Sequence, residues 1–146
     1  MTSIRERLLT AIAARLTPVI ATAGGRFLRQ PVYRIPREMS PALAMQPRSE
    51  RTTRSNQRSD RELVVRFVAV ARETDSDSPH LIADRLLVAA HAALMSDTSF
   101  GGLCLGVTEL NTEGFDIEDA DGEAIATPVS YLFAYRTLSV DIATQG

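Results

Sequence analysis

The sequence predicts an α+β fold: a single-domain, two-layer sandwich with two helices covering one face of a roughly four-stranded sheet. Three observations predict it. Two segments, 3–17 and 79–96, repeat apolar residues at helical spacing. Four shorter segments are apolar runs or alternate in the manner of strands. Their order is helix, strand, strand, helix, strand, strand, which suits helices laid on one side of a sheet. At 146 residues with 45% apolar content, the chain has enough material for one core, and no repeat or low-complexity segment divides residues 1–146.

The first helix opens on Ser3 and Glu6, spaced as a capping box. Ile4, Leu8, Ile12 and Leu16, with Leu9 and Ala13, form its core stripe, and Thr17-Pro18 reads as its stop. Residues 18–40 read as a long connection with Ala23-Gly24-Gly25 and prolines 31 and 36, in which "PVYRIP" extends briefly. "SPALAMQP", residues 40–47, is short and bounded by prolines, and reads as a strand. "ELVVRFVAVAR", residues 62–72, is the clearest strand. Leu63, Val65, Phe67, Ala69 and Ala71 fall on one face, and Val64, Arg66, Val68, Val70 and Arg72 on the other. Between these strands lies "RSERTTRSNQRSDRE", five arginines with no aromatic or aliphatic residue. Too polar to bury itself, residues 48–61 read as the mobile tip of a long β-hairpin.

Ser78 and Pro79 suit the N-cap and first position of the second helix, 79–96. Its buried stripe is Ile82, Leu86, Ala89, Ala90, Ala93 and Leu94, and the small alanines predict close packing on the sheet. Gly101-Gly102 turn the chain into a third strand, "LCLGVTEL", 103–110. An acidic segment follows, and Pro128 opens the last strand, 129–142, with Tyr131, Phe133 and Tyr135 on one face.

Charge is distributed unevenly. All sixteen basic residues are arginine, a bias that a G+C-rich coding sequence accounts for. Residues 1–72 hold fourteen arginines against five acidic residues, or +9; residues 73–146 hold two against thirteen, or −11. A basic field over the whole domain, as DNA binding would use, is therefore missing, and unlike surfaces on one small body fit head-to-tail self-association. One cysteine, Cys104, allows no internal disulfide and suits a reducing compartment. The N-terminus lacks the pattern of a signal peptide, and its apolar run falls short of the ~20 residues that cross a bilayer.

Catalytic constellations are not apparent. His80 and His91 are about three helical turns apart, roughly 16 Å, too far to share a metal, and both read as solvated. Cys104 reads as a buried, inert thiol in an apolar strand. "DIEDADGE", residues 116–123, departs from the calcium-loop order, and reads as a solvated turn or a surface for arginines. Nucleotide, hydrolase and redox motifs are absent from the sequence. The sequence thus predicts no enzyme, no metal and no cofactor. Arginine loops that grip single strands usually carry aromatic stacking platforms, and none occurs between Tyr33 and Phe67.

The order of pieces resembles the tail terminator proteins of long, non-contractile phage tails, the lambda-type minor tail protein U group. The similarity lies in the capped first helix, "SPALAMQ", the polar hairpin leading to "RELVVRFVAVARETDSDSP", "ALMSD" at the end of the second helix, "GFDIEDADGE" and "VSYLFAYRT". It spans nearly the whole chain. It implies a non-catalytic subunit, made in the bacterial host cytoplasm and resident in the virion tail. Its partners would be its own copies in a hexameric ring, the tail tube protein whose growth the ring stops, and a head-completion or connector protein. A related head–tail connector or tail completion protein is the alternative, and a nucleic-acid-binding module using the arginine loop a more distant one. No family site residues carry over. From charge, Arg51, Arg54 and Arg58 are expected to meet acidic protein surface, either Glu118, Asp119, Asp121 and Glu123 of the next subunit or the end of the tube. Passing DNA in the channel is the rival partner, and no membrane is expected.

Overall fold

A computed structural model describes residues 1–29, 39–112 and 124–146. Among the described residues, two helices and five strands follow in the order α1 (Ile4–Thr22), β1 (Arg26–Arg29), β2 (Ala42–Ser55), β3 (Arg58–Arg72), α2 (Pro79–Ser96), β4 (Gly106–Glu109) and β5 (Ala124–Leu138). The strands form one sheet in the order β1-β2-β3-β5-β4, with β1 parallel to β2 and every other pairing antiparallel. Both helices pack on one face of it, which makes the domain a two-layer α+β sandwich.

Both predicted helix starts hold. Ser3 Oγ accepts from the Glu6 amide at 3.1 Å, and Ser78 Oγ accepts from the Leu81 amide at 3.3 Å. Helix α2 has the bounds its pattern predicts, and its stripe is buried except that Ala89 is only half-buried. Helix α1 does not stop at Thr17-Pro18 but continues to Thr22. Pro18 lies on the exposed side, so the carbonyl of exposed Ala14 that loses its donor faces water, while Leu16 and Ile20 continue the buried stripe. The helix ends at Gly24, whose φ of +93° favours glycine. At Gly25 the backbone comes so close to α2 that an added Cβ would lie 2.8 Å from Leu86 Cδ2.

Strand β1 falls inside the expected connection; only four residues long, it adds a fifth strand by pairing in parallel with Ala42–Met45. "PVYRIP" lies outside the described residues. The largest correction concerns residues 48–61. The hairpin exists, but Ser49–Ser55 pair with Arg58–Val64 in a continuous ladder, closed by a two-residue turn at Asn56-Gln57. The register shifts between Pro47 and Ser49, a bulge beyond the end of β1 where proline is tolerated. The stretch is strand because β3 is also paired on its other side, with Arg58 opposite Leu138 and Arg61 opposite Tyr135. Opposite charges sit across the strands, Arg51 against Glu62 and Asp60 against Arg136, which favours this register.

Strand β5 begins at Ala124 rather than after Pro128. The carbonyls of Ser130 and Ala134 accept bonds on the β4 side, from Leu110 and Leu105. By the two-residue period, the missing Pro128 N–H is on that side as well, beyond the last β4 pairing at Tyr131. Strand β4 is shorter than expected because residues 97–105 form turns organised by Asp97, which accepts bonds from Ser99 and Gly101.

The core lies between the helices and the inner sheet face. It joins Leu8, Ile12 and Leu16 of α1 and Leu86 and Leu94 of α2 to Met45, Phe67, Tyr131 and Phe133. Arg15 locks the two helices together: its guanidinium donates to the Ala93 and Asp97 carbonyls at the end of α2 and lies 3.6 Å over the Phe100 ring. On the outer sheet face Val68, Val70 and Ala126 form a second, small apolar cluster.

Two stability measurements check this account of the arm. Replacing residues 48–61 by a short turn should lower Tm by more than about 10 °C, because one kcal/mol moves Tm by roughly 2–4 °C in a chain of this size. Asn56→Gly should change unfolding free energy by less than about 0.5 kcal/mol, since Asn56 already has a φ of 56°.

Candidate interaction surface

The arm formed by Gln46–Ser55, Arg58–Val64 and Leu132–Leu138 carries the arginine-rich stretch, and strand alternation distributes its side chains. Arg51 and Arg58 share the outer face with Asp60, Glu62, Arg66 and Arg136. Arg54 falls on the inner, helix-side face with Glu50, Thr52 and Arg61. The three arginines expected to act together therefore project to two faces, although all three are exposed. Their expected acidic partners, Glu118, Asp119, Asp121 and Glu123, lie outside the described residues.

Glu50 decides which arginines are available. Its Oε2 accepts from Arg5 on α1 at 3.2 Å and from Arg61 on β3 at 3.3 Å, and its Oε1 accepts from the Tyr135 hydroxyl on β5. Arg61 also donates to Thr137 Oγ1 at 3.1 Å and Thr52 Oγ1 at 3.3 Å. The side chains of Glu50 and Arg61 are only 12% and 16% exposed, so Arg61 is a structural cation that holds the arm to the body. Burial first, and then the bond to Glu50, push the Tyr135 phenol above the usual tyrosine range. The sequence carried one faint signal of this clamp, Glu50 lying between Arg48 and Arg51.

On the outer face, Arg136 Nε pairs with Asp60 Oδ1 at 2.5 Å. With Ser55, Asn56, Gln57 and Arg58 they line an open hollow of about 620 Å³ at the arm's end. The aromatic residues of this arm cannot serve as stacking platforms: Phe133 and Tyr135 are buried toward the helices.

The remaining candidates have settled positions. Cys104 is buried, with its thiol directed at the Gly106 and Ala134 carbonyls, and burial raises its pKa. His80 is exposed as expected. His91 is half-buried instead of solvated, because its Nδ1 lies 2.7 Å from the Tyr131 hydroxyl. Burial, and secondarily the charge of Glu109, push that phenol up to about 12. These residues line a groove of about 520 Å³ between α2 and β5, together with Val88, Ala92, Thr112 and Pro128. Among the described residues, no three His, Cys, Asp or Glu side chains are grouped to hold a metal, and no helix is long and apolar enough to cross a membrane.

No protein-family model matches the chain, and comparison with curated proteins likewise finds no match.

Glu50→Ala should destabilise the fold by on the order of 3 kcal/mol in urea unfolding, because it strands a nearly buried Arg61. Tyr135→Phe should cost only about 1 kcal/mol, since Glu50 keeps both arginines. At alkaline pH the sign follows from the raised phenol of Tyr131. The folded form favours the neutral ring, so that contribution is complete below pH 10 and is lost as pH rises toward about 12. Tyr131→Phe should flatten the fall of stability over that window in a pH series of thermal melts.

Proposed function

We propose that this chain is a structural assembly protein: a phage tail terminator whose copies form a ring, hexameric in the resembled family. The ring would cap the tail tube, stop its polymerisation and offer a surface for head joining. The observation that supports this reading most is the continuously paired three-stranded arm, clamped to the body by Glu50 and carrying exposed arginines on both faces. An arm of this kind extends a basic surface away from a body whose second half is acidic in sequence. Unlike surfaces on one subunit close into rings when the rotation between neighbours closes. Exposed ion pairs contribute only about 0–1 kcal/mol each, so charge would set register and partner choice, and apolar contact would supply most of the affinity.

A head–tail connector or tail completion protein would use the same unlike surfaces. Electron microscopy of tails assembled with and without the protein separates the two: overlong tubes without it support termination, and normal-length tails that fail to join heads support the connector. Tubes of normal length that join heads without it would remove both readings. A nucleic-acid module is the third reading, and the inward turn of the arm's aromatic side chains speaks against single-strand binding.

The split of the arginines gives a sharper test. Arg51→Glu with Arg58→Glu alters the outer face, and Arg54→Glu alters the helix-side face. If the acidic segment of the next subunit is the partner, one of these variants should weaken assembly, and reversing Glu118, Asp119, Asp121 and Glu123 to Arg should restore it. If assembly is untouched but DNA retention or ejection changes in a salt-dependent way, the arm faces the channel. Cys104→Ser should leave assembly intact where folding survives.

A further inference from the structure

Among the described residues, two exposed apolar features that the arm does not explain lie toward opposite ends of β5. The first is the turn after that strand. Val140 is 89% and Ile142 50% exposed, yet the turn that presents them is tightly held. Asp141 accepts from the Ala143 amide at 2.9 Å and the Thr144 hydroxyl at 2.6 Å. The Leu138 amide donates to the Thr144 carbonyl and the Ile4 amide to the Ile142 carbonyl, both at 2.9 Å. Single exposed aliphatic residues are common on protein surfaces. Here two stand on a turn fixed from several sides, so docking them would cost little further ordering. Arginines flank the turn: Arg7 donates to the Ala143 carbonyl, and exposed Arg58 lies across from Leu138.

The second feature is the groove between α2 and β5. Val88 is 63% exposed at its rim, with Leu81 two turns earlier on the same helix face and Ala92 one turn later. Glu109 lines the groove, and exposed Asp84 stands one turn before Val88. The nearby cation Arg85 is already paired with Asp77 at 2.8 Å. An aliphatic turn flanked by arginine thus has, on the same chain, an aliphatic groove flanked by carboxylates. They cannot meet within one molecule. Val129 in the groove and Leu138 before the turn are nine residues apart on one extended strand, roughly 30 Å.

We propose that the Val140–Ile142 turn of one copy docks into the α2–β5 groove of the next copy, as the apolar contact of a head-to-tail assembly. The proposal rests on the self-assembly part of the reading above and gives it a specific contact. Charge complementarity selects a second copy over other occupants, because Arg7 and Arg58 would approach Glu109 and Asp84. Because turn and groove are different surfaces, the contact is heterologous and each subunit uses both.

The test uses sedimentation of the full chain with Val140→Asp on the turn and Val88→Asp on the groove. Both sites are exposed, and thermal melts should show both variants folded. At a concentration where the wild type is assembled, each variant alone should be monomeric. Their equimolar mixture should form one-to-one pairs and nothing larger, since it retains one intact turn and one intact groove. A second measurement avoids added charge: Val140→Cys with Val88→Cys in a Cys104→Ser background should give cross-linked multimers with a short thiol-specific reagent. Assembly undiminished in either variant, a mixture that stays monomeric, or no cross-linking overturns the docking. A wild type that assembles regardless of these variants leaves the ring reading standing while the docking fails. Open chains that both variants abolish would do the reverse, and a wild type monomeric at every concentration removes both.

Discussion

The architecture depends on β3 being hydrogen-bonded along both edges. Every residue from Arg58 to Arg72 has a partner on β5, and nearly every one has a partner on β2. A strand paired on both sides has no open edge, so its ends are as well supported as its middle. Residues 58–61, which are polar and could not order themselves, are therefore in strand, and they bring Ser49–Ser55 with them. Cross-strand ion pairs and threonines then stabilise a segment that has little to bury.

That pairing changes what the arginines can do. A flexible loop would bring Arg51, Arg54 and Arg58 to any one partner. A strand separates them, with Arg54 toward the helices and the other two away from them. Arg61 is withdrawn altogether into the Glu50 clamp, which joins α1, β2, β3 and β5 through one carboxylate. The charged surface is thus a two-sided blade held in register by a nearly buried ion pair. Such a surface suits selection of a partner and its orientation more than tight binding by charge alone.

The helix layer complements the blade. Arg15 caps the end of α2, and Gly25 lets the turn after α1 close against Leu86, so both helices are fixed over the inner face. With the aromatic residues of β5 occupied there, the exposed large aliphatic side chains among the described residues include Leu81 and Val88 on the outer side of α2, Leu105 before β4, and Val140 and Ile142 in the turn after β5. The molecule thus carries basic and apolar features at one end of β5 and an acidic-rimmed groove toward the other, two unlike surfaces on one body.

Local chemistry alone determined several features of this protein. The caps at Ser3 and Ser78, the stripes of Leu8–Ile12–Leu16 and Ile82–Leu86–Ala90, and the alternation of Leu63–Ala71 each lie within a few residues of one another. They gave the helices, the central strand and the α+β class. What the tertiary structure decided is everything that depends on a distant partner. Pro18 stays in its helix because its side faces water, and Pro128 stays in its strand because its missing donor lies beyond β4. The arginine stretch becomes strand because β5, more than seventy residues later, completes the ladder beside it. Glu50 meets Tyr135 for the same reason, and the turn and groove lie at opposite ends only once β5 is seen as one continuous strand. Helix signals are local because their hydrogen bonds span four residues; sheet pairings join residues at any separation, so their consequences appear only when the chain is folded.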